Sequence, residues 1–393
     1  MRVLFFVEGF TDIRFVVGLS EICDLTLAVP ARAYRDSGLD VRLRESGARV
    51  TVHTIEGGRL AFQARSLAWL WREAPSFDVV LAQEMLRGGV NATVVGTLRG
   101  VPVVTYMGIS PVEYFRCRRE REQIGALAAS VGEAAIRAMM TISGRLATTA
   151  LVMGPYLATV AAPFSRRVAI GRYYGVDVDL YRPAGAAERA QLRARLGLPR
   201  RQFLIVLSSR ISHEKDPETV LQAVAFARAR GLNAAVLNLG GGYREFLALA
   251  VRIGIADAAE WVLGRPAAHP MRELPDYYRA ADLLVQGSLE EGLGFSPLEA
   301  LACEVPVVAS AVGGLAVHLG EVATLTPRRD AVSMAAAILQ VASNPEAARA
   351  RARRGRDYVV RHWSRARAFA ELEQVLAEAA GRVAASAPQA ERA

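Results

Sequence analysis

Ten short apolar runs, falling into two series of five, constrain this chain more than any other feature of its sequence. The first series is VLFFV (3–7), LTLAV (25–29), RVTVHTI (49–55), FDVVLAQ (77–83) and VPVVTY (101–106). The second is FLIVLSS (203–209), AAVLNLG (234–240), EWVLG (260–264), ADLLVQGS (281–288) and VPVVAS (305–310). Segments of helical character separate the runs. Continuous apolar strands alternating with helices predict parallel sheets covered on both faces. Two such series predict an α/β chain of two doubly wound, Rossmann-like domains. A length of 393 residues is enough for two cores. The stretch 175–202, rich in Pro, Gly and Arg, reads as an interdomain connection carrying a short helix. No repeat at solenoid spacing is present, and the small polar tail after about residue 380 reads as a frayed end.

Hydrophobic residues make up 52% and charged residues 22% of the chain, which excludes fibrous and disordered classes. The net charge of +9 rests on arginine, because Lys215 is the sole lysine. Such a surplus attracts phosphates, nucleic acid or anionic lipid without choosing among them, and a GC-rich coding bias would also produce it. Cys23, Cys117 and Cys303 are odd in number and form no CxxC, so a reducing, cytoplasmic compartment is expected. MRVLFFVEGF lacks a cleavage pattern and reads as a first strand, not an export signal. Residues 124–152 are strongly apolar, yet Glu133, Arg137 and Arg145 interrupt them along one helical stripe. That excludes a transmembrane span and leaves a core helix with a polar edge, or an interfacial membrane helix as the alternative.

Three strand-to-helix loops of the second series could carry chemistry. In EEGLGFSPLEALACEVPVVAS (290–310), Glu291 and Glu299 bracket a loop with Gly292 and Gly294. Ser296, Pro297 and Glu299 fit a capping box, in which Glu299 would bond the Ser296 amide. Glycines before a helix start at the carboxyl end of a parallel strand also suit an anionic ligand, so both readings stand. In SSRISHEKDPETVLQAV (208–224), Asp216 and Pro217 open a helix as N-cap and N1, and Arg210 and Lys215 lie in the loop before it. They are either solvated surface cations or a pair converging on a diphosphate. LNLGGGYREF (237–246) is a tight turn after a strand and lacks dinucleotide-binding spacing. No P-loop, nucleophile triad or zinc set is present. Asp177 and Asp179 form a DxD pair of the kind that can hold Mg²⁺, but no other ligand candidates lie beside it.

Taken together these residues resemble glycosyltransferase family 4, retaining enzymes of the two-Rossmann GT-B architecture. The resemblance rests on E-x7-E at Glu291 and Glu299, on SSRISHEKD, on the GGGY turn and on ADLLVQGS. GVDVDLYRP looks like the family's interdomain segment, which removes the metal reading of the DxD pair. HWSRARAFAELEQVL (362–376) looks like the helix that crosses back to the first domain. The family frame implies an acceptor-binding domain over 1–172, joined by 364–393, and a nucleotide-sugar domain over 173–363.

Several roles follow from that resemblance alone. Arg210, Lys215 and Glu291 would be the catalytic set, with the two cations on the donor diphosphate and Glu291 on the transferred sugar. Glu299 would bind the ribose. Gly9, Gly240, Gly242, Gly264, Arg265, Gly292, Leu293, Gly294, Phe295, Ser296 and Leu298 would complete the donor site. The usual opening Gly-Gly is reduced to Gly9, and the usual His after a middle strand is missing from VVTYMGISPVEYF (103–115). Tyr106, Met107 or Ser110 would stand on the acceptor side instead. No cofactor or metal is implied, and no nucleic acid. The partners would be a nucleotide-sugar donor, with UDP or GDP as its base carrier, and a glycan, lipid-linked or small-molecule acceptor. A peripheral contact with anionic membrane at the inner face accompanies the lipid-linked option. The alternatives are a GT-B nucleotide-sugar epimerase and a non-catalytic nucleotide-sugar-binding protein.

Overall fold

The computed structural model describes residues 1–265 and 271–382. The chain divides into two compact units. The first comprises residues 1–112, 124–175 and the chain from 366; the second comprises 113–123 and 176–365. The expected domain change at 172/173 thus lies three residues before the observed one, and 113–123 groups with the second unit although it was expected in the first.

The first unit is built on seven parallel strands: β1 (Arg2–Phe6), β2 (Asp24–Pro30), β3 (Val50–Ile55), β4 (Val79–Gln83), β5 (Val103–Met107), β6 (Thr149–Met153) and β7 (Val168–Gly171). Their order is β3-β2-β1-β4-β5-β6-β7. Val3 to Phe6 are fully buried in the middle of this sheet, as a strand covered on both faces requires. Edge strand β3 is half-exposed. Helix Arg365–Ala379 belongs here, and its Phe369 ring sits so close over Gly18 that no Cβ would fit there. Phe369 also stacks on Phe15 with ring centroids 6.3 Å apart.

The second unit holds six parallel strands: β8 (Phe203–Leu207), β9 (Ala234–Asn238), β10 (Val262–Gly264), β11 (Leu283–Gln286), β12 (Val307–Ser310) and β13 (Thr324–Thr326). Their order is β10-β9-β8-β11-β12-β13. One face packs Val220, Val224, Phe246, Trp261, Met334 and Ile338 against the sheet.

Strands β6, β7 and β13 have no counterpart among the ten apolar runs. β6 follows an apolar helix with no turn signal, while β7 and β13 are four and three residues long. The segment 124–152 is therefore not one element: helix Ala126–Leu146 ends before β6. Nor is it a core helix, because it buries only Ala129, Met140, Ser143 and Gly144 and leaves Leu127 and Val131 exposed. The Glu133–Arg137 pair forms at 2.8 Å. Among the described residues no helix is long and apolar enough to cross a membrane. The tail after 382 lies outside the described residues.

His318 gives the second unit a pH dependence. It is buried on helix Gly313–Leu319, edge-on to Trp363 at 5.0 Å. Burial lowers its pKa to about 4. The unfolded chain therefore binds the proton more tightly, and the stability present above about pH 6.5 is lost as pH falls toward 4. The full effect is on the order of 3 kcal/mol. Thermal unfolding followed between pH 7 and 4 should show a falling midpoint, and His318→Phe should flatten part of that slope.

Candidate active site

The carboxyl edge of the second sheet gathers three loops. The loop after β8 runs through Ser208 to a short 3-10 turn, His213–Lys215, and then to Asp216. Asp216 takes a left-handed φ of 43° and caps helix Pro217–Ala229, accepting from the Thr219 amide at 3.3 Å. The loop after β11 leads to helix Phe295–Ala302, whose N-cap is Gly294 with φ of 89°. This corrects the capping-box expectation. Ser296 lies inside the helix, and Gly294 ends the loop because its conformation is one that side-chain-bearing residues rarely adopt. The loop after β12 presses in as well: the Gly314 amide donates to the Glu291 carbonyl at 2.8 Å, and Gly292 leaves no room for a Cβ on Gly314.

Lys215 and Glu291, 76 positions apart in sequence, meet at 2.6 Å and are both largely buried. Burial alone would lower the Lys215 pKa, but Glu291 first, then Glu290 and Glu214, hold it above its ordinary value. Glu291 Oε2 also accepts from Gln286 at 2.6 Å and from Ser288 at 3.2 Å. All three bonds converge on Oε2, so Oε1 has no hydrogen-bond partner among the described residues. Arg210 is exposed and stands 3.6 Å from Glu214, which accepts from Ser212 at 2.7 Å. The two cations of this loop therefore differ: one is fixed and buried, the other free to swing.

Glu299 is only 2% exposed. The Tyr278 hydroxyl reaches its Oε2 at 3.1 Å and Ser208 Oγ at 2.9 Å. Burial first, and then the neighbouring Glu299 charge, push the Tyr278 pKa well up, so it stays a neutral hydroxyl facing a carboxylate. Leu293 and Leu298 are core residues, whereas Phe295 and Ser296 are half-buried at the helix start. Gly240 lies against the Ser209 backbone and Gly264 under the Tyr243 ring, each without space for a Cβ. Gly242 is left-handed at φ 73° and caps helix Tyr243–Arg252. The Arg265 guanidinium is engaged by the carbonyls of Gly264, Leu196 and Gly197. Asp177 Oδ1 accepts from the amides of Asp179 and Leu180, so that pair builds a turn. Among the described residues no three His, Cys, Asp or Glu gather as a metal set.

The first unit has its own cavity of about 520 Å³, at the carboxyl ends of β1 to β4. Gly9 opens onto it together with Glu8, Arg59, Glu84 and Arg87. Glu8 is held by Arg87 at 2.8 Å, Gln63 at 2.9 Å and the Gly88 amide at 2.8 Å. Glu84 has φ of 79°, a strained value for a residue with a side chain, and Gly89 packs against its carbonyl. Burial, then the charge of Glu8, push its pKa up to about 7 against the pull of Arg87. Nothing in FDVVLAQEML marks Glu84 except its place at a strand end. Tyr106 and Met107 do not line this cavity; they are core residues of interior strand β5, and Tyr106 packs in a three-ring cluster with Phe15 and Tyr173, which also touch each other. Ser110 is buried as well.

Residues 188–358 match the family model described as glycosyl transferases group 1. The chain is 33% identical over 292 residues to D-inositol 3-phosphate glycosyltransferase 1 of Catenulispora acidiphila, covering 71% of this chain and 67% of that one. It is 37% identical over 188 residues to the D-inositol 3-phosphate glycosyltransferase of Thermobispora bispora, but this match spans only 42% of that protein and 44% of this one. Among solved structures, HepE of Anabaena, crystallised with UDP-glucose, has a TM-score of 0.75 at 18% identity, over 96% of this chain and 98% of that one. Sucrose-phosphate synthase of Thermosynechococcus elongatus has a TM-score of 0.73 at 18% identity, over 96% of this chain and 99% of that one. The chain belongs to the group 1 glycosyl transferases and has the GT-B fold; it is a glycosyltransferase.

The contact between Gly240 and the Ser209 backbone ties two of the site's loops together. Gly240→Ala should cost about 1–3 kcal/mol by overpacking. Urea unfolding would report it as a lower midpoint with an unchanged slope. A cost below about 0.5 kcal/mol, the range of a neutral surface change, would show that the loops do not pack as described.

Proposed function

We propose that the protein is a retaining glycosyltransferase that moves a sugar from a nucleotide-diphospho-sugar to a hydroxyl of a small phosphorylated polyol. The observation that carries the donor half is the free Oε1 of Glu291, on a carboxylate whose other oxygen is locked by Lys215, Gln286 and Ser288. A carboxylate held in that way is preorganised to accept from sugar hydroxyls. Lys215 gives one of its three N–H groups to Glu291 and keeps the others for phosphate oxygens. Arg210 would close over the same diphosphate from the exposed side of the loop. Glu299, braced by Tyr278, would take the ribose hydroxyls, and the amides from Gly292 to Phe295 would meet the diphosphate at the helix start.

The leaving diphosphate gains negative charge as the glycosidic bond breaks. Fixed cations bind that charge more strongly than they bind the ground state, which lowers the barrier. Departure and attack on one face, with the diphosphate taking the acceptor proton, would retain the anomeric configuration. Side-chain cations on the diphosphate leave no step that calls for a metal, so transfer should persist in chelator. The first unit's cavity would take the acceptor. Glu84, half-protonated near neutral pH, can donate to or accept from a hydroxyl, and Arg59 has no ion pair among the described residues, which leaves it for an anionic group. The names of the related inositol phosphate enzymes point to the same acceptor class.

The test is transfer from UDP- and GDP-sugars to phosphorylated polyols in the presence of EDTA, with product configuration read by NMR. Glu291→Gln should lower kcat about 10²–10³-fold, while nucleotide affinity measured by calorimetry changes little. Glu299→Ala should instead weaken nucleotide binding by about tenfold or more. An inverted product, or nucleotide affinity untouched in both Glu299→Ala and Lys215→Ala, would overturn the assignment.

A further inference from the structure

The opposite, amino-terminal edge of the second sheet carries a concentration of positive charge that the donor chemistry does not use. Two adjoining cavities of about 130 Å³ and about 490 Å³ lie there, sharing Ala184, Arg189, Asp282 and Arg349. Arg193 and Arg200 line the larger and Arg353 the smaller.

These cations outnumber the carboxylates beside them, Asp282 and Glu304, and Glu304 forms no ion pair among the described residues. Arg193 is fully engaged, donating to the Ala280 carbonyl at 2.9 Å, to the Gln202 carbonyl at 3.2 Å and to Asp282 Oδ2. Arg189 shares the same Asp282 through Oδ1, and Asp282 Oδ2 also accepts from the Leu204 amide at 2.7 Å. One carboxylate thus serves two guanidiniums and a backbone amide. The Nε of Arg189 is buried without a hydrogen-bond partner. Burial lowers the Arg189 pKa; Asp282 opposes this, but Arg193 and Arg349 lower it further. Arg200, Arg349 and Arg353 have neither hydrogen bond nor ion pair among the described residues.

The helices make the imbalance worse. Arg189 and Arg193 stand four apart on helix Ala186–Arg195, and Arg349 and Arg353 stand four apart on helix Pro345–Trp363. Each is a like-charge pair of the kind that destabilises a helix. Within the protein these costs have no visible compensation, whereas a multiply charged anion would relieve all of them at once.

We propose that this cleft is a second anion site, separate from the donor loops, that binds a phosphomonoester or diphosphate group through Arg189, Arg349 and Arg353. The smaller cavity receives the phosphate and the alanine-floored groove of helix Ala186–Arg195 leaves room for what it is attached to. The same group could arrive on a soluble metabolite or on a phospholipid headgroup.

Calorimetric titration of the full chain with inorganic pyrophosphate tests the proposal, comparing wild type with the Arg349→Gln/Arg353→Gln double variant. Both substituted residues are exposed and absent from the donor machinery, so UDP and GDP affinities serve as the fold control and should not change. The expected result is one pyrophosphate site fewer per chain in the variant, or an affinity lower by about tenfold or more. Without ligand the variant should melt at an equal or higher temperature, because a repulsion has been removed. Flotation with phosphatidic acid in phosphatidylcholine vesicles separates the two sources. Variant-sensitive vesicle binding that pyrophosphate competes away assigns a headgroup; pyrophosphate binding without vesicle binding assigns a soluble ligand. If wild type and variant behave alike in both assays, the arginines are a solvated surface and the proposal falls.

Discussion

A parallel sheet covered on both faces has one consequence from which the rest of this molecule follows: every strand ends at the same edge. In the second unit the chain must return over the sheet between strands, so the loops after β8, β11 and β12 all emerge side by side. That is why Lys215 and Glu291 touch although 76 positions separate them. It is also why glycines accumulate there. With the loop after β9, four loops crowd one edge, and Gly240, Gly294 and Gly314 sit where a neighbouring backbone or side chain occupies the space a Cβ would need.

The two acidic residues of the E-x7-E pattern are both largely buried and both held by tertiary partners: Lys215 pairs with Glu291, and the Tyr278 hydroxyl bonds Glu299. A buried ion pair is weak evidence for stability, since desolvation consumes most of its Coulomb energy. The Lys215–Glu291 pair is better understood as a positioning device. It fixes an ammonium and a carboxylate at one point, leaving free N–H groups on one partner and a free oxygen on the other. A pair of hydrophobic residues would pack there with less penalty and present no free donor or acceptor.

How much of this could be read from the sequence differed from element to element. Buried central strands such as VLFFV and FLIVL announced themselves, because covering both faces removes every polar position. Asp216-Pro217 announced a helix start for an equally local reason, and the structure has that cap. Strand β6 was hidden because an apolar helix runs almost directly into it, and β13 because three residues carry no period. Ser296 misleads, since the pattern S-P-x-E is satisfied by residues that begin two positions after the true N-cap; the left-handed Gly294 decides where the helix begins. Tyr278 and Glu84 escaped altogether. Their roles come from a tertiary neighbour and a strained backbone, neither of which has a signature in the flanking residues.

The single lysine sharpens the contrast between the two ends of the second sheet. Of the 48 lysines and arginines in the chain, Lys215 alone is not arginine, so its identity at the carboxyl edge is not a consequence of composition. An ammonium is compact and presents three donors around one atom, so it can bond Glu291 and still turn toward phosphate oxygens. A guanidinium in its place would engage the carboxylate with a planar fork and carry its remaining donors in that same plane. At the amino-terminal edge the balance reverses. There Arg193 uses its fork to hold three carbonyls and a carboxylate at once, four acceptors where a lysine has three donors. The fold thus places a point charge where donors remain free to point in several directions, and a planar cation where the protein clamps its own backbone.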